Sequence, residues 1–180
     1  YILLNKPYGT LSQFSGEGQT LAQFSLPPEV YPVGRLDKDS EGLLLLSNDG
    51  PFIETFLLHH PRKYWAQVDH DIKEDKIKQL SNGIQIKTGP TAPCDVTKIA
   101  DPTDLIWTRT PPIRVRKNIP TSWLALTLQE GKNRQVRRMT AAVGHPTLRL
   151  IRVGLGKLEL FSNVHLAPST WIEVNKSDII

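Results

Sequence analysis

The chain has 180 residues, 39% of them hydrophobic and 22% charged, with a net charge of +4. That supports one good-sized core or two small halves of one domain, and no apolar run approaches the roughly 20 residues a membrane helix needs. Cys94 is the only cysteine, which excludes a disulfide framework and a cysteine metal cage, and His59, His60, His70, His145 and His165 lack metal-ligand spacing.

YILLN, residues 1–5, reads as a strand stopped by Lys6-Pro7, and a Gly- and Ser-rich loop follows. LLLLS, residues 43–47, is a continuous apolar run between Gly42 and Asn48-Asp49-Gly50, the pattern of a strand buried on both faces. Asp49, Gly50 and Pro51 then open a helix over PFIETFLLH. KYWAQVDH alternates as a strand, with Tyr64, Ala66 and Val68 on one face. EDKIKQLSNG is a short amphipathic helix stopped by Gly83. WLALTLQ is a strand with Leu124, Leu126 and Leu128 on one face. NRQVRRMTAAVGHP predicts a helix with Asn133 as N-cap, Gly144 just past its end, and Val136, Met139, Thr140 and Val143 turned inward. Three or four strands close the chain, in LRLIRVGLGKLEL and TWIEV. Strands outnumber helices without strict alternation, which predicts an α+β fold with a mixed, largely antiparallel sheet. No linker or repeat divides the chain, so residues 1–180 are expected to form a single domain.

Two features carry chemistry. GRLDKDSEGLLLLSNDG, residues 34–50, sets Asp37, Asp39 and Glu41 at alternate positions ahead of the leucine run. An EF-hand loop would need a chelating acid at its twelfth position, where Asn48 stands, and a helix before Asp37, where VYPVGRL stands. An aspartyl-phosphate enzyme would have the apolar strand lead into the acids, and here it follows them. The second feature is charge. Arg109 to Arg152 holds ten Lys/Arg against one acid, Glu130, a balance of +9, while the remainder holds twelve against seventeen, or −5. A basic stripe of this kind suits a polyanionic partner such as nucleic acid. Four of its basics fall within seven residues: Lys132, Arg134, Arg137 and Arg138. Arg137, about 100° round the helix from Val136, can bury its stem and turn its guanidinium inward; Arg134 and Arg138 sit one turn apart and can face RNA.

NKPYGTL, GRLDKDSEGLLLLSNDG, KYWAQV and EGKNRQVRRMTAAVGHP, in that order, resemble the motifs of bacterial pseudouridine synthases of the RsuA branch, and the likeness covers nearly the whole chain. The resemblance implies the pseudouridine synthase fold, two subdomains around a central active-site cleft, and isomerisation of a uridine in 23S ribosomal RNA without cofactor or metal. It implies that Asp37 is catalytic, with Arg137 as its cationic partner, since a guanidinium favours the charged form of a carboxylate beside it and fixes its direction. It makes Tyr64 the active-site tyrosine and Arg35 the side chain that fills the space left by the flipped base. The basic positions Arg114, Arg116, Lys117, Lys132, Arg134 and Arg138 are expected to bind RNA, and PPIRVRKNIPTSW leans toward the large subunit. Asp39 and Glu41 are expected to serve loop solubility or local hydrogen bonding. Ser40 stands where the family often has Thr, and no S4 RNA-binding domain is seen. The chain opens at Tyr1 rather than methionine, with no signal segment, so a longer protein is expected; it is read as cytoplasmic and monomeric, with 23S rRNA or a large-subunit assembly intermediate as partner.

Overall fold

The computed structural model describes all 180 residues, Tyr1–Ile180. In chain order the elements are β1 (Ile2–Lys6), a 3-10 turn (Leu21–Phe24), β2 (Tyr31–Pro32), β3 (Glu41–Ser47), α1 (Gly50–His59), β4 (Arg62–Asp69), α2 (Glu74–Ser81), β5 (Gln85–Ile86), β6 (Gly89–Pro90), β7 (Asp95–Ile99), β8 (Thr121–Leu128), α3 (Gln135–Ala142), β9 (Thr147–Leu155), β10 (Leu158–Glu159), β11 (Trp171–Glu173) and α4 (Lys176–Ile179). The chain forms two compact units, one of Tyr1–Arg62 with Ile151–Ile180 and one of Lys63–Leu150. The class is α+β with a mixed sheet, as the sequence implied.

In the first unit β1 pairs antiparallel with β11 and with β3, setting Ile2 opposite Glu173 on one side and Leu46 on the other. β3 also pairs in parallel with the C-terminal half of β9, Glu41 against Ile151 and Gly42 against Arg152. All seven residues of β3 are buried, the expectation for a strand covered on both faces. The strand begins two residues earlier than the leucine run, because Gly42, at φ +105°, lets the chain lie against the Arg152 backbone. Asp49 caps α1 by accepting from the Phe52 amide at 3.1 Å, and Pro51 fills the first turn.

In the second unit β8 pairs antiparallel with β7, Asp95 opposite Thr127 through Ile99 opposite Trp123. Ala66 and Val68 of β4, Leu124, Leu126 and Leu128 of β8, and Val136 and Met139 of α3 form one buried cluster with Ile77 and Leu80 of α2. The predicted inner face of α3 is buried as read, through Val136, Met139, Thr140 and Val143. Its start differs. Arg134, in the left-handed region at φ +51°, is the N-cap residue and no side chain caps the helix; the Asn133 side chain instead accepts from the Arg138 guanidinium at 2.8 Å. Gly144, at φ +85°, ends the helix as expected.

Candidate active site

Asp37 belongs to the first unit, on the loop between β2 and β3, where it is half-buried. Its own carbonyl accepts from the Ser40 amide at 3.0 Å, closing a turn that feeds β3. Two neighbouring acids have different surroundings. Asp39 stays half-exposed in the loop, but Glu41 is 1% exposed, inside β3. Loop solubility, one of the two roles expected of Glu41, is therefore excluded. A carboxylate is retained in such a place only with opposite charge or hydrogen bonds nearby, and Lys6, at the end of β1, is electrostatically coupled to it.

Lys6 is fully buried, and its ammonium donates to the carbonyls of Pro7 at 3.0 Å and Thr10 at 2.9 Å. Burial lowers its pKa to about 7, and the Arg152 guanidinium pushes the same way; Glu41, Asp37 and Asp39 pull it back up. Arg152, 2% exposed, donates through Nε to the Leu43 carbonyl at 2.7 Å. Lys6 is thus coupled electrostatically to Asp37, Asp39 and Glu41 as well as to Arg152. The sequence reading missed Lys6 and Arg152 as parts of the site; the lysine of NKPYGTL was the available signal, and Arg152 had none. Arg35 is exposed two residues before Asp37, its guanidinium donating to the Gln13 side chain at 3.3 Å.

In the second unit Tyr64 sits on β4, half-buried, packed against the cluster that contains Val136 and Met139. Arg137, on α3 between those two residues, is half-buried at the edge of the inward face, where the helical period placed it. Tyr64 and the helix bearing Arg137 therefore share one core, which fixes the tyrosine's strand and the arginine's helix together.

The basic stripe is less uniform than its sequence. Arg149 and Arg152 are buried, at 7% and 2% exposed. Arg149 donates to the Trp107 carbonyl at 2.9 Å and lies 5.9 Å from the centre of that indole. Arg116 is ion-paired to Asp69, and Lys132 to Glu130 at 2.6 Å. Arg116 and Lys132, both expected to bind RNA, are thus each ion-paired to a protein carboxylate. Arg138 is tied to Asn133 and half-buried. Arg114, Lys117 and Arg134 are exposed. Arg114 and Lys117 lie on the irregular segment 101–120, which is anchored through Arg116 and Trp107. No group of three or more His, Cys, Asp or Glu side chains is placed to hold a metal ion, and no helix is long and apolar enough to cross a membrane.

Comparison with known proteins identifies the family and the fold. The family model for RNA pseudouridylate synthase matches residues 1–142. Ribosomal large subunit pseudouridine synthase E of Xanthomonas campestris pv. campestris is 51% identical over 178 residues, 94% of this chain and 92% of that protein. The protein of the same name from Vibrio parahaemolyticus is 49% identical over 179 residues, covering 96% of this chain and 73% of its own. A crystal structure of a pseudouridylate synthase superposes with a TM-score of 0.79 at 26% identity, over 99% of this chain and 71% of the other. The chain belongs to the RNA pseudouridylate synthase family, and its fold is that of a pseudouridylate synthase.

Proposed function

We propose that this protein converts a uridine of 23S ribosomal RNA into pseudouridine, with Asp37 as the reacting carboxylate. The conversion breaks the bond from C1′ to N1, turns the base and joins C1′ to C5. The hydrogen on C5 leaves as a proton and N1 gains one. An ionised carboxylate suits the nucleophilic or electrostatic task at an electron-poor carbon. Arg137 directs that carboxylate, Tyr64 stacks on the extruded base, and Arg35 fills the gap it leaves, since a base inside the stack cannot be reached. Unstacking costs a few kcal/mol, which contacts from Arg35, Tyr64 and the exposed basics on segment 101–120 offset. The protein acts as a cytoplasmic monomer on the RNA or on a large-subunit assembly intermediate.

One observation carries the chemistry: Asp37 lies on a loop running straight into the fully buried β3, electrostatically coupled to the buried Lys6. The likeness to two synthases named for the large ribosomal subunit supports the choice of RNA. The test is tritium release from 23S rRNA carrying [5-³H]uridine, with wild type and Asp37→Asn side by side. Release by wild type alone is the expected result. Equal release by Asp37→Asn would remove Asp37 from the centre of the reaction. No release from either, with retained salt-sensitive binding, would point to another RNA, and 16S rRNA would be tried next.

A further inference from the structure

The acid loop is gripped from one side by a single short segment. Ser12 is 5% exposed, and its hydroxyl serves both backbone groups of one residue: it donates to the Leu36 carbonyl at 2.6 Å and accepts from the Leu36 amide at 3.1 Å. On the other side of Asp37, the Gly9 amide donates to the Lys38 carbonyl at 2.8 Å. With the Ser40 amide on the Asp37 carbonyl, three consecutive residues have fixed backbone groups. The gripping segment is itself held. Lys6 binds the carbonyls of Pro7 and Thr10, the Gln23 side chain donates to the Thr10 hydroxyl at 3.2 Å, and the Leu11 amide bonds the Gln19 carbonyl at 2.9 Å. Gly9, at φ +85°, turns the chain so that its amide reaches Lys38.

We propose that the segment 6–13 is a clamp that sets the position of Asp37, and that Ser12 is its positioning residue. This rests on the reading of Asp37 as the reacting carboxylate. A loop is a soft place to mount a reacting group, and a displacement of about 1 Å can cost about a hundredfold in rate. The clamp lends the loop the stiffness of β1 and β3. Ser12 suits the task because one hydroxyl both donates and accepts, and Ser12→Ala would leave a buried amide and a buried carbonyl of Leu36 without that partner. The clamp acts on the backbone, so its loss is felt in the chemical step and not in RNA binding.

The test compares wild type, Ser12→Ala, Ser12→Cys and Asp37→Asn on 23S rRNA carrying [5-³H]uridine, with hydrogen exchange on each free protein. Ser12→Ala is expected to lose tenfold or more in kcat with KM within about twofold of wild type. Exchange at the amides of 36–40 should quicken while those of β1 and β3 stay protected. Ser12→Cys, whose thiol donates and accepts more weakly at the same place, should lie between; it carries the test alone if Ser12→Ala does not fold. Unchanged kcat with freed 36–40 amides would overturn the clamp, as would a raised KM at unchanged kcat. An inactive Asp37→Asn beside a fully active Ser12→Ala would sink the clamp and leave the function standing. An active Asp37→Asn would remove the residue the clamp is said to position.

Discussion

At the scale of single residues, the site depends on groups whose surroundings contradict their chemistry. A lysine with no exposure would normally be expelled, yet Lys6 is retained with two carbonyls to donate to and three acids around it. Its ammonium titrates near 7 when folded, against about 10.5 when unfolded. Between those values the unfolded chain holds the proton and the folded one does not, so this group makes stability rise with pH across that window. Lys6→Met should lose the rise, up to about 3 kcal/mol between roughly pH 7 and 9.5. Urea unfolding of both proteins across that range checks it, and parallel curves would refute it. Gly42 has the opposite constraint. A Cβ there would lie 2.3 Å from the Arg152 carbonyl oxygen, a backbone atom that cannot step aside. Gly42→Ala should cost about 3 kcal/mol or more, visible as a fall in thermal midpoint. Neither position could be read in full from the sequence. The place of Asp37 on a loop ahead of a buried strand was legible, because the leucine run follows the acids directly. The buried state of Glu41 was not, because it depends on a lysine 35 positions away in the chain.

At the scale of elements, periodicity told the truth where one face is apolar and failed where a cap or ion pair decides. Leu124, Leu126 and Leu128 on β8, and Val136 and Met139 on α3, are buried as their spacing required. The start of α3 was misplaced because Asn133 has the composition of an N-cap, while its amide oxygen is used by Arg138. Leu124→Ala should cost about 2–5 kcal/mol, the range for a buried leucine whose cavity cannot collapse; denaturant titration measures it. The long segment 101–120 has no strand or helix, and such loops in compact domains are usually functional. Its Arg116 hydrogen bond holds the Asp69 carboxyl below the usual aspartate range. The stability of that pair is therefore present above ordinary aspartate pKa values and lost as pH falls through the lowered one. Asp69→Asn should release the segment at neutral pH. Trypsin should then cut after Arg114 and Lys117 several times faster while the thermal midpoint of the protein moves little. An unchanged digestion pattern would mean that Arg149 and Trp107 hold the segment without Arg116.

At the scale of the whole molecule, a count of basic residues overstates the charge available to RNA. Of the ten Lys/Arg between Arg109 and Arg152, Arg149 and Arg152 are inside, and Arg116 and Lys132 are matched to Asp69 and Glu130. No reading of the sequence could separate these from the rest, since their partners are distant or, for Glu130, indistinguishable from a solvated acid. Arg114 and Lys117 are exposed with no acid between Leu105 and Gln129 to compensate them. Each phosphate contact releases condensed counterions, so the dependence of log K on log salt loses about 0.7 to 0.9 in slope for each contact removed. Arg114→Ala and Lys117→Ala should each flatten the slope by about that much, and the double variant by about twice as much, with kcat on saturating RNA little changed. Arg152→Ala should do the reverse: its guanidinium is buried against the Leu43 carbonyl, so the protein should become less stable while the slope for its folded fraction stays put. Binding of 23S rRNA from about 50 to 300 mM salt separates the two outcomes. A slope lowered by Arg152→Ala and untouched by Lys117→Ala would place the RNA on a different face from the segment 101–120.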